Sequence, residues 1–249
     1  SSILLYLFFV QQIITTLLYA FQDLHLTADE AVELEKNTRR QHNSTRWRTE
    51  RQHRVTASNF GLVTRRMEWT RDGLHALLCP QDLSRLPAIR YGQANEALAA
   101  QRYQEVLQSL GHSVTLFGCG LLVDPATPWL GASPDRIVFD PCERQPHGVV
   151  EIKCPYSLRN AYATDIPALD YISRDEHGRF HLSLDHKYHY QVLGQMGLSG
   201  LSWGDFVVYS DNFIFLERVR FDPAEWEATK LHLESFYFDI MLGELRRMQ

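Results

Sequence analysis

The apolar positions of this chain change spacing from one stretch to the next, and each change of period predicts a change of element. Residues 3–21 carry no charge and are interrupted only by Gln11, Gln12, Thr15 and Thr16. That length is near the shortest bilayer span, yet paired glutamines without flanking Lys or Arg favour a helix buried against a partner over a membrane span. From Thr27 the pattern turns helical, with Thr27 and Glu30 spaced as a capping box, and a basic helical segment runs to about Arg54. Residues 55–60 read as a loop opening another helix with Thr56 or Ser58 as its cap, and 67–88, holding Gly73, Pro80 and Pro87, as an irregular connection. Ala99, Tyr103, Val106, Leu107 and Leu110 recur at helical spacing and predict a helix over 91–110 that Gly111 ends. Glu96 falls on the same stripe, where it is either solvated in a frayed first turn or meets a cation.

Short apolar runs at 113–117, 121–123, 136–139 and 149–154, punctuated by Gly and Pro, predict neighbouring strands of one sheet. A helix over 186–198 follows, then a hairpin of 206–209 with 213–221 across Ser210-Asp211-Asn212. Asp222, Pro223 and Glu225 supply an N-cap, a first-turn proline and an N3 glutamate, so a long terminal helix begins there, with Phe236 and Tyr237 in the core. The pattern therefore specifies an α/β fold, a small mixed sheet flanked by helices.

Composition narrows the setting. At 249 residues, 45% hydrophobic and 22% charged, the chain suits one domain with an N-terminal extension. Because it opens with Ser, we read it as a piece of a longer polypeptide. Its four cysteines include no CxxC pair, which argues for a reducing intracellular compartment and against structural zinc; Cys142 with His147 is too sparse for such a site. His181, His186 and His189 are expected at the surface. The formal charge of −5 is unlike that of a nucleic-acid binder, but residues 36–71 hold ten basic side chains against Glu50 and Glu68, a segment suited to a polyanion.

The chemistry concentrates in Gly148-Val149-Val150-Glu151-Ile152-Lys153-Cys154-Pro155. Period-two geometry puts Glu151 and Lys153 on one face of a strand and Val150 and Ile152 on the other. An isolated acid-x-Lys on a strand is as readily an ion pair at a sheet margin, and the chain holds a second match, Asp185-His186-Lys187, in a polar stretch opening a helix. Gly131-Ala132-Ser133-Pro134-Asp135 separates the two: it sets Asp135 at the mouth of the adjacent strand, where its carboxyl would meet that of Glu151. Two acids so close stay ionised together if a hard divalent cation holds both, and Lys153 would then orient or deprotonate an attacking water.

Ser133-Pro134-Asp135 and Glu151-Ile152-Lys153-Cys154-Pro155, with their spacing, resemble the PD-(D/E)xK nucleases of the YqaJ viral recombinase and lambda exonuclease family. Trp47 with Arg51 and Thr56-Ala57-Ser58, Gly92 with Glu96, and Tyr188 with Gln191 resemble its remaining motifs in order. The resemblance implies a restriction-endonuclease-like core over 44–249 preceded by a helical extension over 1–43. It implies Asp135, Glu151 and the Ile152 carbonyl as metal ligands, with Glu96 near a second metal. Lys153 becomes the catalytic lysine with Gln191 as its helper, and Arg51 and Ser58, with Arg54 and Thr56 beside them, form a 5′-phosphate pocket. The implied cofactor is Mg2+, two ions, with Mn2+ a plausible substitute; the implied partners are DNA, a trimer of this chain and a single-strand annealing protein. The implied activity is DNA exonucleolysis from 5′ ends, in the nucleus of a eukaryotic host or otherwise the cytoplasm. An endonuclease or RNA-cleaving relative, and an inactive nucleic-acid-binding module, remain the alternatives.

Overall fold

The protein is described by a computed structural model covering residues 24–248; the apolar 3–21 stretch lies outside the described residues. Among those described, no helix is long and apolar enough to cross a membrane. In chain order come α1 (Ala28–Asn37), a 3-10 turn, α2 (Thr45–Gln52), β1 (Val55–Thr56), α3 (Ala57–Arg65), α4 (Arg71–Leu78) and α5 (Pro87–Ser109). Next are β2 (Thr115–Gly118), β3 (Leu130–Gly131), β4 (Arg136–Phe139), β5 (His147–Lys153), β6 (Ile172–Arg174), β7 (Phe180–Leu182) and α6 (Lys187–Ser199). β8 (Trp203–Tyr209), β9 (Ile214–Arg220), α7 (Pro223–Phe236), a π-helical turn and α8 (Leu242–Met248) complete the chain.

Five strands form the central sheet in the order β2-β4-β5-β8-β9. The outer pairings are antiparallel, but β5 and β8 run parallel, with Glu151 beside Phe206. A parallel pair requires a crossover, and α6 supplies it. β5 alternates faces as its sequence dictates: Val150 and Ile152 pack with Ala99, Tyr103 and Leu107 of α5. Val149 packs on the other face with Val192 and Met196 of α6. Behind α6 lies a third apolar layer, in which Phe60 and Val63 of α3 meet Trp226 and Leu233 of α7.

Caps set the ends of these elements. Thr27 Oγ1 accepts the Glu30 amide at 3.2 Å while Glu30 Oε2 accepts that of Thr27 at 2.8 Å, the reciprocal box its sequence predicts. Asp222 accepts the amides of Ala224 and Glu225 at the start of α7. α6 stops at Gly200, whose φ of 68° is left-handed and suits glycine.

The structure departs from the sequence reading in several places. Residues 71–78 form α4 within the expected irregular connection, because Thr70 caps the Gly73 amide and Leu74 and Leu78 are buried. α5 starts at Pro87, whose missing N–H costs nothing in a first turn. The basic segment is no continuous helix: it breaks around Gln41, at φ 43°. Residues 121–123 lie outside the sheet; Leu122 bridges Ala132, and Leu121 packs on Leu34 of α1. The β6–β7 hairpin was not foreseen. His189 is buried rather than on the surface, because its Nε2 bonds Glu225 Oε1 at 2.8 Å across to α7. Phe236 and Tyr237 are buried, as their pattern predicts.

A carboxylate, lysine and amide cluster at the end of the fifth strand

The β4–β5 ladder ends at the pair Arg136–Val150. One residue further, in the same antiparallel register, Asp135 faces Glu151, so the two acids leave the same face of the sheet. With β4 finished, the Ile152 amide has no strand carbonyl on that side, and Asp135 Oδ2 accepts it at 2.7 Å. The N–H and C=O of a strand residue point to one edge, so the Ile152 carbonyl opens on the margin that holds Asp135.

Glu151 is 3% exposed and projects toward α6. Its Oε1 accepts Lys153 Nζ at 2.5 Å and Gln191 Nε2 at 2.7 Å, while Gln191 Oε1 accepts Lys153 Nζ at 3.1 Å. The three side chains thus close a triangle. Gln195, one turn along α6, donates Nε2 to Glu151 Oε2 at 2.6 Å. The Lys153 ammonium also lies 4.6 Å from the centre of the Tyr188 ring, a cation–π contact.

Two groups here titrate unusually. Desolvation, then the charges of Glu151 and Glu96, push the Asp135 carboxyl well above the usual carboxylate range. Burial works against the Lys153 ammonium, but the Glu151 and Asp135 carboxylates outweigh it and hold its pKa above the ordinary value. A third acid stands apart: Glu96 of α5 accepts Arg136 Nη1 at 2.7 Å, answering the question its place on the apolar stripe poses.

The expected phosphate pocket is assembled in part. Arg51 stacks on Trp47, 4.1 Å from the ring centre, and its Nη2 lies 3.3 Å from Ser58 Oγ, which is 3.3 Å from Thr56 Oγ1. These groups sit at the start of α3, where free amides favour anions. Desolvation lowers the Arg51 pKa to about 10, with the Glu151 charge acting the other way, which places pocket and acid cluster in one electrostatic field. Trp47, Arg48, Arg51, Arg54, Thr56 and Asn59 line a cavity of about 580 Å3. Arg54 behaves otherwise than expected. It is 4% exposed, its Nε donates to the Pro128 carbonyl at 2.9 Å, and its Nη1 donates to the Glu50 carbonyl and Oε2 at 2.7 Å each. Its charge is spent tying α2 to the loop before β3, because a buried guanidinium must satisfy its donors internally.

Sequence reasoning missed two supports. Gln195 carries no motif of its own, though its i+4 spacing from Gln191 places it on the same helix face. Gln41 donates Nε2 to the carbonyls of Cys119 at 2.9 Å and Pro134 at 2.8 Å, and with Trp47 Nε1, 2.8 Å from Ser133 Oγ, it fixes the turn that presents Asp135.

The donor set fits a hard divalent cation. Asp135 and Glu151 supply carboxylate oxygens, and burial together with the Glu151 and Glu96 charges makes ionised Asp135 costly, a cost a cation would relieve. Glu96 would join only by giving up Arg136. Among the described residues, one group of His, Cys, Asp or Glu brings all its ligand atoms within 4.8 Å of one another: His112, Asp140 and Cys142, away from this cluster. There Asp140 Oδ2 already accepts from His112 Nδ1 and Arg218 Nη1, both at 2.8 Å, so its charge is balanced within the protein.

Comparison with known proteins places the chain in a family. The family model described as the YqaJ-like viral recombinase domain matches residues 46–202. No curated protein matches the chain. An alkaline exonuclease (LHK-Exo) from Laribacter hongkongensis is 25% identical with a TM-score of 0.58, covering 82% of this chain and 97% of its own. Its complex with dAMP gives a TM-score of 0.59 at the same identity and coverage. The shutoff and exonuclease protein of Kaposi's sarcoma-associated herpesvirus, 12% identical with a TM-score of 0.58, covers 85% of this chain and 73% of its own, a likeness of fold.

Proposed function

The chain belongs to the YqaJ-like viral recombinase family, and from that premise we propose that it is a Mg2+-dependent exonuclease acting on duplex DNA from 5′ ends. It is a nuclease, a hydrolase acting on nucleic acid; the cation, the polarity and the DNA substrate are what the site geometry supports. The observation that carries the reading is the convergence of Asp135, Glu151, Lys153 and Gln191 at one end of β5, in the field of Arg51.

A divalent cation held by Asp135, Glu151 and the Ile152 carbonyl, with a second toward Glu96, would polarise the scissile phosphate and lower the pKa of the attacking water. The protein's own groups do the rest. Of the three Lys153 N–H donors, two are directed to Glu151 and Gln191, leaving the third for a water or a phosphate oxygen. Held against Glu151 and Gln191, the ammonium is placed to orient the water and balance charge on the transition state. Gln191 holds both Glu151 and Lys153, so neither can swing to satisfy the other alone. Arg51, Thr56 and Ser58 at the start of α3 would grip a terminal 5′-phosphate, fixing where the first scissile bond falls.

Duplex carrying a 5′ label, linear or sealed in a circle, tests the reading. Mg2+ should release labelled mononucleotide from linear DNA, chelator should stop it, and sealed circles should survive. Rapid cutting of circles would make the protein an endonuclease. DNA binding without cleavage, unchanged by Glu151→Ala, would make it a binding module. A processing role in recombination, repair or mobile-element DNA, an intracellular location and a trimeric ring are proposed with it.

A further inference from the structure

Glu151 meets two amide side chains from one helix, and the nuclease motifs account for only the first. Gln195 is fully buried and donates Nε2 to Glu151 Oε2 at 2.6 Å. A carboxylate only accepts, so chemistry fixes the amide orientation and turns Oε1 the other way. That Oε1 is buried and has no hydrogen-bond partner. An unsatisfied amide oxygen inside a protein is a standing cost, one an unbranched apolar side chain at the same place would not carry. Packing alone therefore does not explain the residue.

The two oxygens of Glu151 are loaded unequally. Oε1 accepts from Lys153 and Gln191, whereas Oε2 accepts from Gln195. Two donors saturate the in-plane lone pairs of Oε1; one donor leaves Oε2 a lone pair to give. Three donors from two elements also stop the carboxylate from rotating.

We propose that Gln195 is a positioning residue: by pinning Oε2 of Glu151 it holds the carboxylate rotated so that the spare lone pair of that oxygen faces the divalent cation. The role rests on the cluster being a metal-dependent nuclease centre. It acts through Glu151 rather than on the nucleic acid, so its removal should weaken metal binding and turnover while sparing substrate affinity.

Gln195→Met keeps length and volume while deleting the amide. Titration calorimetry with Mn2+ on the DNA-free protein should show binding weakened about tenfold or more, and kcat should fall about 10- to 100-fold, the usual range for a group supporting a metal ligand. KM for duplex should stay within about twofold, since no ground-state contact is lost. The melting temperature without metal should fall by no more than the loss of one hydrogen bond to a carboxylate implies. In a Glu151→Gln background, Gln195→Met should change Mn2+ binding no further. Wild-type Mn2+ affinity and kcat in Gln195→Met would overturn the role, as would a kcat loss that merely follows the fraction folded. Should that variant fail to fold, Gln195→Leu is read by the same measurements, and misfolding of both would itself overturn the role in favour of a packing one. Wild-type protein that neither binds Mn2+ nor needs it for cleavage would overturn the metal-dependent reading itself, a result distinct from a wild type that binds and a variant that matches it.

Discussion

Asp135 Oδ2 holds the backbone amide of Ile152 at 2.7 Å, the residue between Glu151 and Lys153. An acid on one strand thus takes the place of the ladder where its own strand ends, and replacing it separates two roles. Asp135→Asn keeps an acceptor for Ile152 but removes the charge. Its fold should survive while Mn2+ binding disappears and cleavage falls at least about 10²-fold, the scale of a lost electrostatic contact in a transition state. Asp135→Ala should also cost about 1–3 kcal/mol for the orphaned amide, read as a lower melting temperature. Equal melting temperatures for the two variants would count against the anchoring role.

Arg51 is set for a terminal phosphate by its stack on Trp47 and its approach to Ser58. Arg51→Ala should raise KM for 5′-phosphorylated duplex by about 10- to 100-fold, the equivalent of one charge-assisted hydrogen bond, and leave 5′-hydroxyl duplex near wild type. Arg51→Lys should not restore the preference, because an ammonium neither stacks nor forks as a guanidinium does. Equal losses on both kinds of end would dismiss the pocket.

Two acids should give the pH–stability curve opposite slopes. Hydrogen bonds from Arg220, with those from Arg218, hold Glu143 at about 2, below its usual 4.5. A depressed pKa contributes stability that is complete above 4.5 and lost as pH falls toward 2. Asp135 is shifted the other way, so without metal its contribution is present in acid and lost as pH rises through its elevated pKa. Urea unfolding of metal-free protein should show Glu143→Gln flattening the acid limb and Asp135→Asn flattening the loss toward neutral pH. If either variant keeps the wild-type slope in its window, the assignment of that window is wrong.

Gly194 of α6 lies under the Phe60 ring, where a Cβ would overlap Cδ2 and Cε2. Gly194→Ala should cost about 1–3 kcal/mol as α3 and α6 are forced apart, measured by urea unfolding. Because Gln191 and Gln195 ride on the same helix, kcat per folded molecule should fall with it. An unaltered kcat would show that the amides tolerate a shift of α6.

The chemistry was more legible in the sequence than its supports. Glu151 and Lys153 stand out only because Gly131-Ala132-Ser133-Pro134-Asp135 sets Asp135 at the mouth of the neighbouring strand, where its carboxyl meets that of Glu151. Gln195 and Gln41 were invisible: an amide has no periodic signature, and each acts on a partner dozens of residues away. Arg54 lines the pocket, but composition cannot tell a basic side chain whose charge is free from one folded back onto Pro128 and Glu50. His189 is hidden in the same way: a histidine in a polar stretch reads as exposed, and nothing local points to Glu225 across on α7. α4 was hidden by Gly73 and Pro80, which read as loop although Thr70 and two buried leucines outweigh them.

The crossover from β5 to β8 divides into a part that can change length and a part that cannot. The β6–β7 hairpin turns through an exposed bend at Gly178, and extra residues there would lengthen a loop and nothing else. One residue inserted between Gln191 and Gln195 would swing the second amide about 100° around the helix and strip Glu151 of a donor. Natural variation in chain length should therefore collect before Lys187, while the spacing from there to Gln195 stays fixed to the residue.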